Sequence, residues 1–517
     1  MSDRLADQDA RDRIEHDLAT TLVVEAAAGT GKTSALVRRM VAVVASGAGT
    51  LAEMVAVTFT DAASGELKLR LRGAIEQARQ DPSCAPRARD RLTAALPQLE
   101  EARIGTIHSF CGDLLRERPV EARVDPSFQV AAGDLARSLF DRAFDRWFEE
   151  QLADPPEGMR RILRRRLRFD QGPRARLRQA AFELAQWRDF PAAWQRTPFG
   201  RDAETDALLD ELTALARWAT QGEPDDAFTK GLREIARFTD EVARQERVRG
   251  SRDYDGVEAE LVRVSRDRHW KWVGFQRTTA PDFPKAQLRR ERDALRDRLY
   301  AFVAAVGADI APCLQTELRA VLERYEVLKA RGGYVDFLDL LLRARDLVRD
   351  DGAVRGALQA RFRHIFVDEF QDTDPLQAEL LLLLAADDPT EREWRRVRPV
   401  PGKLFVVGDP KQSIYRFRRA DVALYQTIKQ QLVDAGAALL HLRVSFRSVP
   451  ALQQLVNATF APWMTGATPS QAAYVPLAPS RSALATQPAV VALPVPKPYG
   501  DYRKVVDWKI DQSLPDA

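Results

Sequence analysis

Residues Leu22–Val43 read LVVEAAAGTGKTSALVRRMVAV. Leu22–Glu25 fits a short buried strand, and Ser34–Val43 has the apolar spacing of a helix. Between them lies Ala26-Ala27-Ala28-Gly29-Thr30-Gly31-Lys32-Thr33. A loop of this kind, joining strand to helix, turns consecutive backbone N–H groups inward at a helix N-terminus, where they hold phosphate oxygens. Ala28, Gly29, Thr30 and Gly31 would form that cradle. Lys32 would reach the β- and γ-phosphates, and the Thr33 hydroxyl would ligate Mg2+. The usual G-x-x-x-x-G-K-[ST] pattern fails only at its first position, Ala26. Nucleotide binding is the chemistry this setting predicts.

Outward from the loop, Met54–Phe59 and Arg103–Thr106 are further short apolar runs, each followed by a polar loop and a helical pattern. The alternation resumes near Tyr334, with runs at Ile365–Asp368, Leu404–Gly408 and Leu439–Leu442. Buried strands separated by helices predict an α/β fold, a parallel sheet with helices on both faces. The run Ile365-Phe366-Val367 ends in Asp368-Glu369, which puts two carboxylates at the strand's C-terminal end, where open α/β sheets bind ligands. Asp368 is the candidate to hold Mg2+ through water. Glu369 is the candidate to orient and deprotonate an attacking water. Together with the phosphate loop, this pair predicts ATP hydrolysis.

From about Phe128 to Gly333 strand signals are few and apolar residues recur at helical spacing, as in Leu135–Phe148 and at Leu295, Leu299, Phe302, Val303 and Val306. A helical insertion is expected there. Arg161–Arg168 carries five arginines in eight residues. It reads as a solvated helix face, with contact to a nucleic-acid backbone as the alternative. Trp187, Trp194, Trp218, Trp270 and Trp272 read as packing residues in preference to base-stacking platforms.

Composition narrows the classes. The chain has 517 residues, 45% of them apolar, and a net charge of +3, which excludes collagen-like, coiled-coil and wholly disordered proteins and demands no polyanionic partner. Arginine outnumbers lysine 66 to 12, a bias that high-GC codon usage also produces. Cys84, Cys111 and Cys313 are far apart and form no metal-binding spacing, so a reducing, cytoplasmic setting is expected. The apolar runs read as too short to span a bilayer, and the N-terminus lacks signal-peptide character.

Six segments, in order, resemble those of the UvrD/Rep/PcrA-like superfamily 1 DNA helicases, and within them the RecB/AddA-type branch. They are Val24–Thr33 (VEAAAGTGKT), Thr58–Arg70 (TFTDAASGELKLR), Gly105–Phe110 (GTIHSF), Val367–Gln377 (VDEFQDTDPLQ), Val407–Asp421 (VGDPKQSIYRFRRAD) and Val444–Ser448 (VSFRS). The resemblance implies a P-loop, RecA-like ATP-binding domain in two parts, residues 1–127 and 334–450. A helical domain would be inserted at 128–333. Residues 451–517, rich in Ala and Pro, would form a connector toward a second RecA-like domain. It further implies ATP and Mg2+ as cofactors, with single-stranded DNA and single-/double-strand junctions as partners. Movement 3′→5′, a role in recombination or double-strand-break repair, no membrane association and a partner helicase–nuclease subunit complete the expectation.

Residue by residue, Gln412 matches a glutamine that senses the γ-phosphate and couples it to the DNA site. Arg447 matches an arginine on the γ-phosphate, where it can stabilise developing charge. Gln8 stands where a glutamine reads the adenine edge; otherwise it is an ordinary exposed residue. On the DNA side the resemblance places Thr58, Phe59 and Thr60, then Thr106, His108 and Ser109, then Tyr415, Phe417 and Arg418. Hydroxyls and basic groups suit phosphates, and aromatic rings stack bases without sequence preference. Core packing remains the alternative for Phe59 and Phe417, and structural pairing for Arg416 and Arg419. Two departures concern DNA contacts: Ser445 stands for the usual Asn, and Asp61-Ala62-Ala63-Ser64 for Asn-Lys-Ala-Ala. The sequence reads as the N-terminal half of a longer helicase, with unwinding expected to need the other half. Val505–Ile510 resembles the Asp-x-Lys element of RecB-type nucleases, but the connector supplies no carboxylate set to go with it. A non-catalytic ATP-binding repair subunit is the competing function; the catalytic carboxylate Glu369 argues against it.

Overall fold

The computed structural model describes residues 4–165, 171–190, 192–223, 225–267, 284–466, 468, 471–483 and 488–491. They fall into two compact units, one from residues 1–126 and 339–517 and one from residues 127–338. The strands in chain order are β1 (Leu22–Ala26), β2 (Met54–Thr58), β3 (Arg103–Thr106), β4 (Gln129–Val130), β5 (Tyr334–Val335), β6 (His364–Val367), β7 (Leu404–Gly408), β8 (Ala438–Leu442), β9 (Val444–Ser445) and β10 (Ala478–Pro479).

Six of them form one sheet in the order β3-β2-β6-β7-β1-β8, with every pairing parallel. All residues of β2 and β7 are buried, which is why these strands are apolar without alternation. Glu25 breaks the apolar run of β1 and is neutralised locally, because Lys429 Nζ donates to its Oε1 at 2.9 Å. The helix Lys32–Ser46 follows β1 and is bounded by two left-handed glycines, Gly31 (φ +89°) and Gly47 (φ +81°). Thr60 and Thr106 cap the helices Asp61–Gln80 and Ile107–Glu117, their hydroxyl oxygens accepting from the N–H groups of Ala63 and Ser109. Each of these three helix N-termini therefore follows directly from the C-terminal edge of a sheet strand.

Among the described residues, the second unit is helical apart from the short parallel pair β4–β5 and its loops. Its spine is the 47-residue helix Lys285–Arg331. One part of it buries Leu288, Leu295, Leu299, Phe302 and Val306 against the helices Arg201–Ala216, Ala227–Arg249 and Tyr254–Ser265. The other buries Leu318, Val321 and Tyr325 with Phe140, Phe144 and Trp147. Pro312 lies between the two clusters.

Four sequence expectations need revision. The spine helix contains a window apolar and long enough to cross a membrane, contrary to the reading that no such stretch exists; 39% of that window is buried, and the helix as a whole contributes to the two cores just described. Arg161 and Arg165 are neither solvated nor offered to a nucleic acid. Arg161 is fully buried and donates to Glu258 (2.9 Å) and Asp309 (2.7 Å), and Arg165 donates to Glu258 (2.6 Å). The helix Glu157–Arg164 faces acidic residues on two neighbouring helices, a fact invisible in a local window. Trp187 and Trp194 are about half exposed, whereas Trp218 packs on a core. Residues Pro450–Phe460 form a helix and not an extended connector, Pro450 occupying the first turn, where its missing N–H costs nothing. Arg166, Arg168, Trp270, Trp272 and the Val505–Ile510 element lie outside the described residues.

Candidate nucleotide site and the adjoining sheet edge

The phosphate loop leaves β1 at Ala26 and turns through two left-handed glycines, Gly29 (φ +78°) and Gly31 (φ +89°). Thr30 is fully buried and folds back, its hydroxyl donating to the Ala27 carbonyl at 2.7 Å. Ala28 is exposed, and Lys32 and Thr33 are partly so at the first turn of the helix. At Gly29 a side chain is impossible twice over. Besides its φ, a Cβ there would lie 2.5 Å from Arg447 Cβ and 3.2 Å from Ser445 Oγ. The Phe446 N–H also donates to the Gly29 carbonyl at 2.8 Å. The segment after β8 is thereby laid on the loop, with the Arg447 side chain exposed beside it.

The strand order sets β7 beside β1 and β6 beyond β7, and with them the acidic residues. Lys32 Nζ donates to Glu369 Oε2 at 2.6 Å, 337 positions away in sequence. Glu369 holds a left-handed backbone (φ +50°), which costs a non-glycine residue about 1–3 kcal/mol and is retained where function fixes the geometry. Burial, and then the neighbouring Glu369 charge, push the Asp368 carboxyl up to about 6. Asp372 is pushed to about 6 by the same two causes. A buried carboxylate that resists ionisation is the group an added cation would most stabilise. Thr33 and Asp368 are hard oxygen donors of the kind Mg2+ takes, so the residues present fit that ion.

Gln371 ties this cluster to Gln412. Its Nε2 donates to Glu369 Oε2 (2.7 Å) and Asp372 Oδ2 (3.2 Å), and its Oε1 accepts from the Asp409 N–H (2.9 Å). Gln412 Nε2 donates to Asp409 Oδ2 at 2.7 Å, and the Ser413 hydroxyl donates to the Gln371 carbonyl at 3.2 Å.

Gln8 is half-buried on the helix Gln8–His16 and lines a cavity of about 290 Å3 together with Arg11, Ser34, Arg38 and Phe446. Buried Arg39 fixes that helix by donating to the carbonyls of Ile14, Asp17 and Thr20. Asp7 and Arg11 clamp it to the rest of the site. Asp7 accepts from Arg11 (2.8 and 2.9 Å) and from the N–H groups of Arg443 (2.8 Å) and Val444 (2.9 Å). Arg11 also donates to the Thr30 carbonyl at 3.0 Å. Burial pushes the Asp7 carboxyl up, but the Arg11 guanidinium and the two N–H groups outweigh it and hold the group below the usual carboxylate range.

Along the same edge stand the residues assigned to DNA. Phe59 and Tyr415 meet with ring centroids 4.6 Å apart, and Tyr415 and Phe417 at 5.7 Å. Phe417 is 78% exposed, which removes core packing as its role. Thr58 is buried and donates to the Thr60 carbonyl at 3.1 Å. Thr60 and Thr106 serve as helix caps, while His108 and Ser109 lie in the first turn after Thr106. Arg418 falls in the short turn Arg416–Arg418.

Gln371, Asp372, Asp409, Arg38 and Phe446 lie within segments that the sequence singles out, but nothing there gave them a role, and Asp7 and Arg11 lie outside those segments. For Asp7 no local signal exists, since its partner Val444 is 437 positions away.

Comparison with known proteins agrees with this geometry. The family described as UvrD/REP helicase N-terminal domain matches residues 6–432. The A subunit of the ATP-dependent helicase/nuclease from Pediococcus pentosaceus is 27% identical over 490 residues, covering 85% of this chain and 37% of its own length. The protein of that name from Levilactobacillus brevis is 27% identical over 508 residues (89% and 39%), and that from Geobacillus kaustophilus 29% over 501 residues (86% and 38%). This chain thus spans under two fifths of the length of the curated relatives it matches. The family match runs through every strand of the large sheet but the last, and through the loop and both carboxylates: the chain belongs to the UvrD/REP helicase N-terminal domain family.

Proposed function

We propose that this chain is the ATP-binding side of a DNA motor. It binds ATP with Mg2+, hydrolyses it, and couples turnover to 3′→5′ movement on single-stranded DNA and at single-/double-strand junctions. The setting is recombination or double-strand-break repair in the cytoplasm, with a partner helicase–nuclease subunit. The observation that carries this reading is the Lys32–Glu369 pair at the mouth of the phosphate loop, connected through Gln371 and Asp409 to Gln412.

The backbone from Ala28 to Gly31 cradles the phosphates, and Lys32 leaves Glu369 for them when nucleotide enters. Glu369, released, orients the attacking water and takes its proton. Thr33 and Asp368 would hold Mg2+, which when bound neutralises charge on the phosphate oxygens. Gln412 and Arg447 approach the γ-phosphate from β7 and from the segment after β8. The base lies in the cavity beside Gln8 and Phe446. Bases stack on Phe59, Tyr415 and Phe417, and the DNA backbone meets Thr60, Thr106, His108, Ser109 and Arg418, while Thr58, buried with its hydroxyl on the Thr60 carbonyl, supports that turn from within and does not meet DNA itself. Duplex unwinding is expected of the longer proteins, of whose length this chain spans under two fifths.

The test is steady-state ATP hydrolysis with and without single-stranded DNA. DNA-stimulated turnover that disappears in Glu369→Gln supports the motor. Turnover that survives in Lys32→Ala overturns the site; nucleotide binding that is lost in Lys32→Ala, with no turnover under any DNA condition, marks a built site that needs the rest of the longer protein.

A further inference from the structure

Gln371 is 2% exposed, yet both ends of its amide and its main-chain carbonyl are engaged. Its orientation is determined by chemistry. A backbone N–H, that of Asp409, faces one end and requires oxygen; the carboxylates of Glu369 and Asp372 face the other and require N–H donors. Space around it is closed, since a Cβ on Gly408 would lie 2.7 Å from Gln371 Oε1. Lys32 and Gln371 donate to the same oxygen, Glu369 Oε2. Asp409, on the other side, receives Gln412 Nε2 and Lys411 Nζ, and Ser413 reaches the Gln371 carbonyl. Tyr415, whose ring packs tilted against that of Phe59, follows two residues later.

We propose that Gln371 is the positioning residue through which occupancy of the phosphate site reaches the Ser413–Phe417 aromatic segment. This rests on the reading that nucleotide occupies the loop and single-stranded DNA the aromatic rings. When phosphates claim Lys32, Glu369 Oε2 keeps one of its two donors, Gln371, and the carboxylate and amide must move as one. The amide oxygen then carries that shift to the Asp409 N–H, and the Gln371 carbonyl carries it to Ser413. Gln412 senses the phosphate directly; Gln371 gives the carboxylate side of the site its own connection to the same segment.

The test is equilibrium coupling in the 517-residue chain. The Kd of a fluorescent, non-hydrolysable ATP analogue with Mg2+ is measured with and without saturating oligo(dT), and the Kd of labelled oligo(dT) with and without the analogue. Linkage requires the two ratios to agree, and coupling factors of about 5- to 150-fold are usual. In Gln371→Met the factor is expected to fall to within about twofold of unity while each separate Kd stays within about threefold of wild type. Gln371→Glu retains the acceptor for Asp409 but faces Glu369 and Asp372 with a like charge, and it too should lose the factor. Ser413→Ala, outside the buried cluster, should lower it at least about twofold, which keeps the test decisive if the Gln371 variants fail to fold. A wild-type factor in Gln371→Met, an unchanged factor in Ser413→Ala, or a wild-type protein that binds both ligands without coupling would overturn the proposal. A wild-type protein that binds neither ligand overturns the proposed function instead.

Discussion

Exchanging Glu369 for Gln should tighten nucleotide binding while abolishing turnover. Lys32 Nζ lies 2.6 Å from Glu369 Oε2, and the two side chains are 11% and 34% exposed. Phosphates must draw Lys32 from that carboxylate. Lys32 stays charged in the variant, so its bond to the amide loses only one of the pair's two charges and drops toward the lower end of the about 1.5–3 kcal/mol of a hydrogen bond to a charged group. Solvent reaches Glu369 and screens the pair, so the amide should hold Lys32 less tightly by about 1 kcal/mol. At about 1.4 kcal/mol per decade, ATP affinity rises about fivefold. Removing the carboxylate's repulsion of the γ-phosphate acts in the same direction. Turnover, deprived of the group that accepts the water proton, falls by about 10²- to 10⁴-fold. Lys32→Ala has the opposite sign on binding. Fluorescence titration with an ATP analogue and Mg2+, run beside a phosphate-release assay, reads both effects. A Glu369→Gln variant that binds ATP more weakly than wild type would refute the idea that the two ligands compete for Lys32.

Other outcomes follow from single features. Phe417→Ala should cost about 1–3 kcal/mol in oligo(dT) affinity by anisotropy, without shifting the melting temperature, since the ring is 78% exposed. Arg161→Met should destabilise the helical unit by about 3–5 kcal/mol in urea, because Glu258 and Asp309 would be left buried with less compensation; adding Glu258→Met should recover part of the loss. Lys403 is pushed down to about 8 by burial. The unfolded chain therefore binds more protons between that pH and about 10.4, and stability rises with pH across the window by at most about 3 kcal/mol. Lys403→Met should flatten the rise in urea midpoints measured from pH 7.5 to 10; an unchanged slope would show that the ammonium is not the source.

The central strands β2 and β7 were legible because burial on both faces leaves an unbroken apolar run; β1, β3 and β8, interrupted by Glu25, Arg103 and His441, were legible from short apolar stretches set between helical patterns. Each of the six was located to within a residue or so, from Leu22–Ala26 to Ala438–Leu442. Their order was not, since nothing local in Leu404–Gly408 says that it lies beside Leu22–Ala26. The fold's main chemical act, setting Glu369 against Lys32, depends on that order. Arg161 shows the limit of reading charge from a window: its partners come from two other helices, so that it joins an internal ion cluster while Arg164 of the same stretch stays half exposed, as a solvated face would have it. Gln371 shows a subtler one. A glutamine in a polar motif has no sequence mark of burial, and its role follows only from what faces its two ends.

The sheet order also has a consequence in time. β2 and β3 can pair as soon as both have left the ribosome, but β1 has β7 on one side and β8 on the other. Those partners are synthesised about 380 residues later, which at about 5–20 residues per second is a wait of roughly 20–80 s. Through that interval an apolar strand carrying the phosphate loop has two open edges, a state prone to mispairing. The helical unit, complete by Leu338, can fold during the same interval. Nucleotide can therefore first be bound only after β7 and β8 have closed around β1, so that the ATP site comes into existence later than the helical unit can.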